Sequence, residues 1–172
     1  KDGARSTYRN TGSGWSADSR WNSPVDCVTA GVDSGARFVD LNGDGLTDLI
    51  SAKDGAKATY LNTGSGWVSD ARWNLPSGHL MASGQDQGRR FADVNGDGLV
   101  DLLIAKDGSK ATYLNTGSGW RQISKWTLPD GDFVVGGTDQ GRWITDINGD
   151  GLVDVPIAKD GAKATYVNPF PP

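Results

Sequence analysis

Glutamate is absent from this chain; all 21 acidic residues are aspartate. Glu favours helices and Asp does not, so the absence speaks against a helical architecture. Cysteine, histidine and methionine occur once each, at Cys27, His79 and Met81. A lone cysteine excludes an intrachain disulfide, and a catalytic thiol would have only His79 to pair with. Both residues are read as structural, the thiol because free cysteines are usually buried. No apolar run approaches the ~18–20 residues of a membrane span, and no signal peptide is visible. The chain opens at Lys1 in mid-repeat, as expected if a leader was removed or never included. There is no Lys/Arg-rich run, which argues against a nucleic-acid partner. Without a repeated His, a Glu acid or a Ser-His-Asp set, the chain is not expected to be an enzyme.

What the chain does have is 25 glycines, many Thr, Trp, Tyr and Val residues, and a motif written three times. Such a composition points to strands joined by tight turns. The motif is Asp-x-Asn-Gly-Asp-Gly-Leu-x-Asp, running Asp40 to Asp48, Asp93 to Asp101 and Asp146 to Asp154, 53 residues apart. Side-chain oxygens fall at positions 1, 3, 5 and 9 of a short loop, and the glycines at 4 and 6 let the backbone curl around what those oxygens hold. That pattern suits a hard cation, and calcium takes six to eight oxygen ligands in flexible geometry. The formal charge is −4, and nine carboxylates lie in the loops. Three divalent ions would add +6 and bring the sum to about +2, so the acidity is mostly a metal signature.

The repeat extends beyond the loop. Lys-Asp-Gly opens a segment at residues 1, 53, 106 and 159, Thr-Tyr follows at 7, 59, 112 and 165, and Asn-Thr-Gly-Ser-Gly-Trp ends at Trp15, Trp67 and Trp120. A second tryptophan comes six residues later, at Trp21, Trp73 and Trp126. Each period reads as four strands. Strand one is 36–39, 90–92 or 143–145; strand two is 49–52, 102–105 or 155–158. Asp-Gly then signals a hairpin into strand three, at 58–62, 111–115 or 164–168. Strand four spans Trp67 to Trp73 and Trp120 to Trp126. Four antiparallel strands in roughly 40–50 residues make one β-propeller blade. An EF-hand is excluded, because position 12 is Ser51, Ile104 or Ile157 instead of an acid and the flanks are strand-like.

The blade pattern and the nine-residue loop resemble the FG-GAP/VCBS repeats of integrin-α-type β-propellers. The Tyr-Leu-Asn-Thr-Gly-Ser-Gly-Trp segment is similar to versions in large secreted or surface proteins and in some fungal lectins of this group. The Phe-Gly pair that names the motif is not kept, since Phe38 and Phe91 precede Val and Ala. The resemblance implies an all-β fold of propeller blades and a calcium ion in each loop between strands one and two. The implied ligands are the side chains at positions 1, 3, 5 and 9 and the carbonyl at 7. They are Asp40, Asn42, Asp44, Leu46 and Asp48; Asp93, Asn95, Asp97, Leu99 and Asp101; and Asp146, Asn148, Asp150, Leu152 and Asp154. Stripped of metal, each loop is expected to raise the pKa values of its clustered carboxylates.

In this reading residues 1–33 carry strands three and four of an incomplete blade, 34–86 and 87–139 are whole blades, and 140–172 is a blade without its fourth strand. The ring is then completed either by sequence outside this chain or by further copies in a homo-oligomer. The repeated third strand favours the former. The expected function is a secreted or cell-surface recognition module for carbohydrate or protein ligands, with a ligand-free structural spacer of a large surface protein or toxin shell as the alternative. Trp67, Trp73, Trp120 and Trp126 could stack on sugar faces, although aromatics recurring at one position more often pack cores. Trp143 is expected to pack. Asp-Gln-Gly-Arg at 86–89 and 139–142 offers either ligand contacts or turn chemistry.

Overall fold

Two-residue turns with positive φ at both positions punctuate the chain at Ala30–Gly31, Asp54–Gly55, Ser83–Gly84, Asp107–Gly108, Gly136–Gly137 and Asp160–Gly161. Their twist matches that of paired strands, and the chain between them is extended. A computed structural model describes residues 5–168; the first Lys-Asp-Gly segment lies outside the described residues. The chain divides into two compact units, Lys1–Asp40 with Asp44–Gly84, and Leu41–Gly43 with Gln85–Pro172.

The first unit holds strands β1 (Tyr8–Asn10), β2 (Trp15–Ala17), β3 (Val28–Thr29), β4 (Val32–Asp33), β5 (Ala36–Val39), β6 (Asp48–Lys53), β7 (Ala56–Asn62), β8 (Trp67–Ser69) and β9 (Met81–Ala82). Strands β5 to β8 form one antiparallel blade, with Phe38 opposite Leu49, Leu49 opposite Tyr60 and Tyr60 opposite Ser69. Strand β9 joins β6 in parallel through the single pair Lys53–Met81. Hairpins β1–β2 and β3–β4 stand as separate sheets.

The second unit holds β10 (Gln85–Asp86), β11 (Arg89–Ala92), β12 (Asp101–Lys106), β13 (Ser109–Asn115), β14 (Trp120–Ile123), β15 (Val134–Val135), β16 (Thr138–Asp139), β17 (Val155–Lys159) and β18 (Ala162–Tyr166). Its blade, β11 to β14, repeats the register, with Phe91 opposite Leu102, Leu102 opposite Tyr113 and Tyr113 opposite Gln122. The all-β, propeller-type architecture expected from the repeat is thus present. Strand two is the buried element of both blades: Leu49, Ile50 and Ala52 in one, Leu102 to Ala105 in the other. In the second unit Val94, Leu103, Ala105, Leu114, Leu128, Phe133 and Val134 form a contiguous core. No helix among the described residues is long and apolar enough to cross a membrane.

Three local expectations change. Strand four stops early: after Ser69 the chain enters a short 3₁₀ turn, Ala71–Trp73, as it does at Ser19–Trp21. Asp18 and Asp70 cap these turns by accepting the amides of Arg20 and Arg72, and both carboxylates also pair with those guanidinium groups. The expected strand at 143–145 is reduced to isolated bridges, Arg142–Ile157 and Thr145–Asp154. Between them the Trp143 amide donates to the Pro156 carbonyl at 3.1 Å, but proline has no N–H to return the bond. Trp143 itself does not pack; it is 70% exposed. It occupies the register position of Arg37 and Arg90, which stand opposite Ile50 and Leu103 and form ion pairs with Asp33 and Asp86.

Candidate metal loops and an aromatic cleft

Each repeated motif bridges strand one and strand two of its repeat, and its first and last aspartates play different parts. In the second loop Asp93 at position 1 closes the curl: Oδ1 accepts the Gly96 amide at 2.8 Å and Oδ2 the Gly98 amide at 2.7 Å. Asp97 at position 5 accepts the Leu99 amide at 2.9 Å and the Asn95 Nδ2 at 2.8 Å. Asp101 at position 9 is fully buried at the start of β12. It accepts the Val94 amide on Oδ2 at 3.0 Å and the Asn115 amide on Oδ1 at 2.8 Å.

The third loop copies this arrangement. Asp146 accepts the amides of Gly149 and Gly151, Asp150 those of Leu152 and the Asn148 side chain, and buried Asp154 those of Ile147 and Asn168. In the first loop the Asp40 carboxylate accepts the Gly45 amide, Asp44 the Leu46 amide, and buried Asp48 the Asn62 amide. Asn42 belongs to the second unit together with Leu41 and Gly43. The position-7 leucines differ in setting, Leu46 being exposed and Leu152 buried.

The donor set is all oxygen, which suits a hard cation. Among the described residues no arginine or lysine forms an ion pair with the six carboxylates of the second and third loops; ion pairs fall instead on acids such as Asp18, Asp26, Asp33, Asp70, Asp86, Asp130 and Asp139. Burial pushes the Asp101 carboxyl up to about 6, and Asp97 and Asp93 push the same way. Asp146 goes against the expected rise: the amides of Gly151 and Gly149 hold its carboxyl below the usual range. Among the described residues no three carboxylate, imidazole or thiol side chains converge on one point. The acids at positions 1 and 5 instead face the amides of their own loops, and those at position 9 also accept the amide that ends strand three. A cation would take the place of those amides at positions 1 and 5, while the position-9 carboxylate is already fixed by two N–H groups.

The four tryptophans expected to offer stacking faces differ in setting. Trp73 is 2% exposed and is a core residue, because its 3₁₀ turn folds it inward; it offers no stacking face. Trp126 is half-buried against the core of the second unit and lines a cavity of about 210 Å³ with Leu128, Ile144 and Tyr166. Trp120 lies 6.3 Å from Phe91. Trp67 lines a cleft of about 530 Å³ in the first unit. There it meets Trp21 edge-on at 6.0 Å and Phe38 at 6.4 Å. Thr7, Asn62, Thr47 and the Arg5–Asp26 ion pair supply the polar lining. Arg5 stands at the repeat position of Lys57 and Lys110 and, like them, donates to a carbonyl 18 residues on, whereas Asp26 has no acidic counterpart at its repeat position and carried no sequence signal.

Cys27 lies on this cleft and is exposed, contrary to the burial expected of a free thiol. His79 accepts the Gly55 amide at 2.8 Å through Nε2, a structural part that Asp132 takes for Gly108 in the second unit. Asp-Gln-Gly-Arg is turn chemistry, with Asp86 and Asp139 accepting the amides of Gly88 and Gly141.

Comparison with known proteins matches the chain to the FG-GAP-like repeat over residues 40–98 and 93–157. Integrin alpha-4 of Xenopus laevis is 30% identical over 136 residues, 69% of this chain and 13% of that protein. Integrin alpha-PS5 of Drosophila melanogaster is 30% identical over 154 residues, 74% of this chain and 15% of the relative. The chain therefore spans about a seventh of these relatives. Among solved structures, an Agrocybe aegerita lectin with specific recognition of non-reducing terminal N-acetylglucosamine shares the fold. Its TM-score is 0.58 at 19% identity, over 96% of this chain and 47% of the lectin.

Proposed function

Because the chain belongs to the FG-GAP-like repeat family, we propose that it is a non-catalytic recognition module whose loops each bind one calcium ion, about three per chain. The observation that carries the calcium reading is the repeated oxygen donor set built on a buried position-9 carboxylate, which in the second and third loops no cationic side chain among the described residues offsets. The ligands are those set out by the repeat: positions 1, 3, 5 and 9 through side chains and position 7 through its carbonyl. Calcium supplies the positive charge that these carboxylates lack and stabilises the blade loops. An oxygen shell of this kind leaves no open position for a substrate.

The ligand surface we assign is the cleft of Trp21, Phe38 and Trp67. Aromatic faces beside threonine, asparagine and an ion pair suit a saccharide, which presents C–H faces and hydroxyl edges together. Kinship with integrin alpha chains and the fold of an N-acetylglucosamine-recognising lectin support a carbohydrate or protein ligand. A glycan array probed with calcium and with EDTA tests this. Calcium-dependent sugar binding that Trp67→Ala abolishes is the expected result. Silence on the array in calcium, with calcium still bound, overturns the carbohydrate assignment and favours the spacer.

A further inference from the structure

Asn115 ends β13 and uses both of its amide groups. Its backbone N–H donates to Oδ1 of Asp101, and its side-chain Nδ2 donates at 2.7 Å to the carbonyl of Leu41, 74 residues away. Leu41 is position 2 of the first loop, between Asp40 and Asn42. One repeat later Asn168 does the same: its N–H donates to Asp154 Oδ1 at 2.8 Å and its Nδ2 to the carbonyl of Val94 at 3.4 Å. Val94 is position 2 of the second loop, and its own amide donates to Asp101 Oδ2.

These bonds are continuous. They run from the Leu41 carbonyl through Asn115 to Asp101, through the Val94 peptide to Asn168, and on to Asp154. Leu41, Val94, Asp101, Asn115 and Asp154 are all buried, and every residue of the relay belongs to the second unit. The leucines reinforce it. A Cβ built on Gly43 would stand 2.5 Å from Leu99 Cδ2, and one on Gly96 2.9 Å from Leu152 Cδ2, so each position-7 leucine occupies the space above the preceding loop.

We propose that the asparagine ending strand three is a positioning residue that couples neighbouring calcium loops, so that filling one raises the affinity of the next. The proposal rests on the calcium reading above. An ion held by the second loop tightens the loop that Asp101 already ties to the Asn115 amide at the end of β13, and with it the bond from Asn115 to the first-loop backbone between two of its ligands. The second ion then meets a loop already ordered, and the effect is reciprocal.

Calcium titration of the chelator-stripped full chain by calorimetry tests it. Asp97→Ala should remove one ion and also weaken the remaining sites by about fivefold, the lower end of usual site coupling. In an Asn115→Ala background the same substitution should no longer weaken the first loop, a non-additivity that a merely structural role would not produce. Asn10→Ala is the control: it removes the same turn bond, to Gly12 in place of Gly117, and should leave the coupling intact. Asn168→Ala tests the weaker link between the second and third loops should Asn115→Ala not fold. Independent sites, or equal effects of Asp97→Ala in both backgrounds, overturn the coupling alone. No calcium uptake by any loop overturns the calcium reading and the coupling together.

Discussion

Replacing Asp101 with alanine should separate the structural work of a loop from its metal work. The carboxylate is buried and accepts the Val94 and Asn115 amides at 3.0 and 2.8 Å. Alanine leaves both N–H groups without an acceptor where water does not reach, at about 1–3 kcal/mol each. Part of that is returned, because a buried carboxylate no longer has to be desolvated. A net loss of about 3 kcal/mol lowers the melting temperature of a chain this size by roughly 6–12 °C. Asp97→Ala is the partner experiment. Its carboxylate is exposed, so the change in stability stays within about 1 kcal/mol. Melting each protein by circular dichroism in EDTA and in excess calcium gives four comparisons. Asp97→Ala should match the parent in EDTA and lose part of the calcium-dependent rise, which is ~2.7 kcal/mol per site at a hundredfold excess over its dissociation constant. Asp101→Ala should be lower in both media. If Asp101→Ala melts within about 2 °C of the parent in EDTA, the two amide bonds do not hold the loop, and the division of labour described here is wrong.

Two further outcomes follow from the same geometry. The Asp101 carboxyl is raised in the fold from 3.8 to about 6, so the folded chain holds that proton more tightly than the unfolded one. The stability this gives is fully present below the unfolded value and is lost as pH rises through the folded one. In EDTA, Asp101's contribution therefore makes melting higher at about pH 5 than at about pH 7, a difference Asp101→Asn abolishes, while the second loop's calcium affinity falls below about pH 6 as protons compete. Pro156→Leu restores the donor facing the Trp143 carbonyl, worth about 0.5–1.5 kcal/mol, against about 0.4–1 kcal/mol of unfolded-chain entropy that proline had removed. A small rise in the urea midpoint with an extended strand at 143–145 is expected; a fall would show that the missing bond is not what interrupts that strand.

The sequence announced its blades because two signals agreed at every repeat: a loop with fixed oxygen positions and an Asp-Gly turn that only left-handed backbone satisfies. Both depend on near neighbours in the chain. What escaped depends on distant partners. The second tryptophan of each repeat reads alike in sequence, yet Trp73 is buried while Trp126 is half-exposed, because different neighbours surround them. Trp143 reads as a core aromatic until the register shows it at the position of the ion-paired Arg37 and Arg90. Pro156 was in plain view, but its effect needs the knowledge that Trp143 lies opposite. Asn115 looks like the first residue of an ordinary Asn-Thr-Gly turn, and its bond to Leu41 spans 74 residues.

The glycines of the three loops bear on how such a protein ages. Asn42-Gly43, Asn95-Gly96 and Asn148-Gly149 are the dipeptides most open to spontaneous deamidation, since glycine leaves its nitrogen free to attack the asparagine side-chain carbonyl. Here that nitrogen is engaged in two loops: the Gly96 amide donates to Asp93 and the Gly149 amide to Asp146. The contact that curls the loop thus also restrains the nucleophile that would insert an extra methylene into its backbone. In these two loops the fold itself shields Asn-Gly against that chemistry for as long as it stays intact.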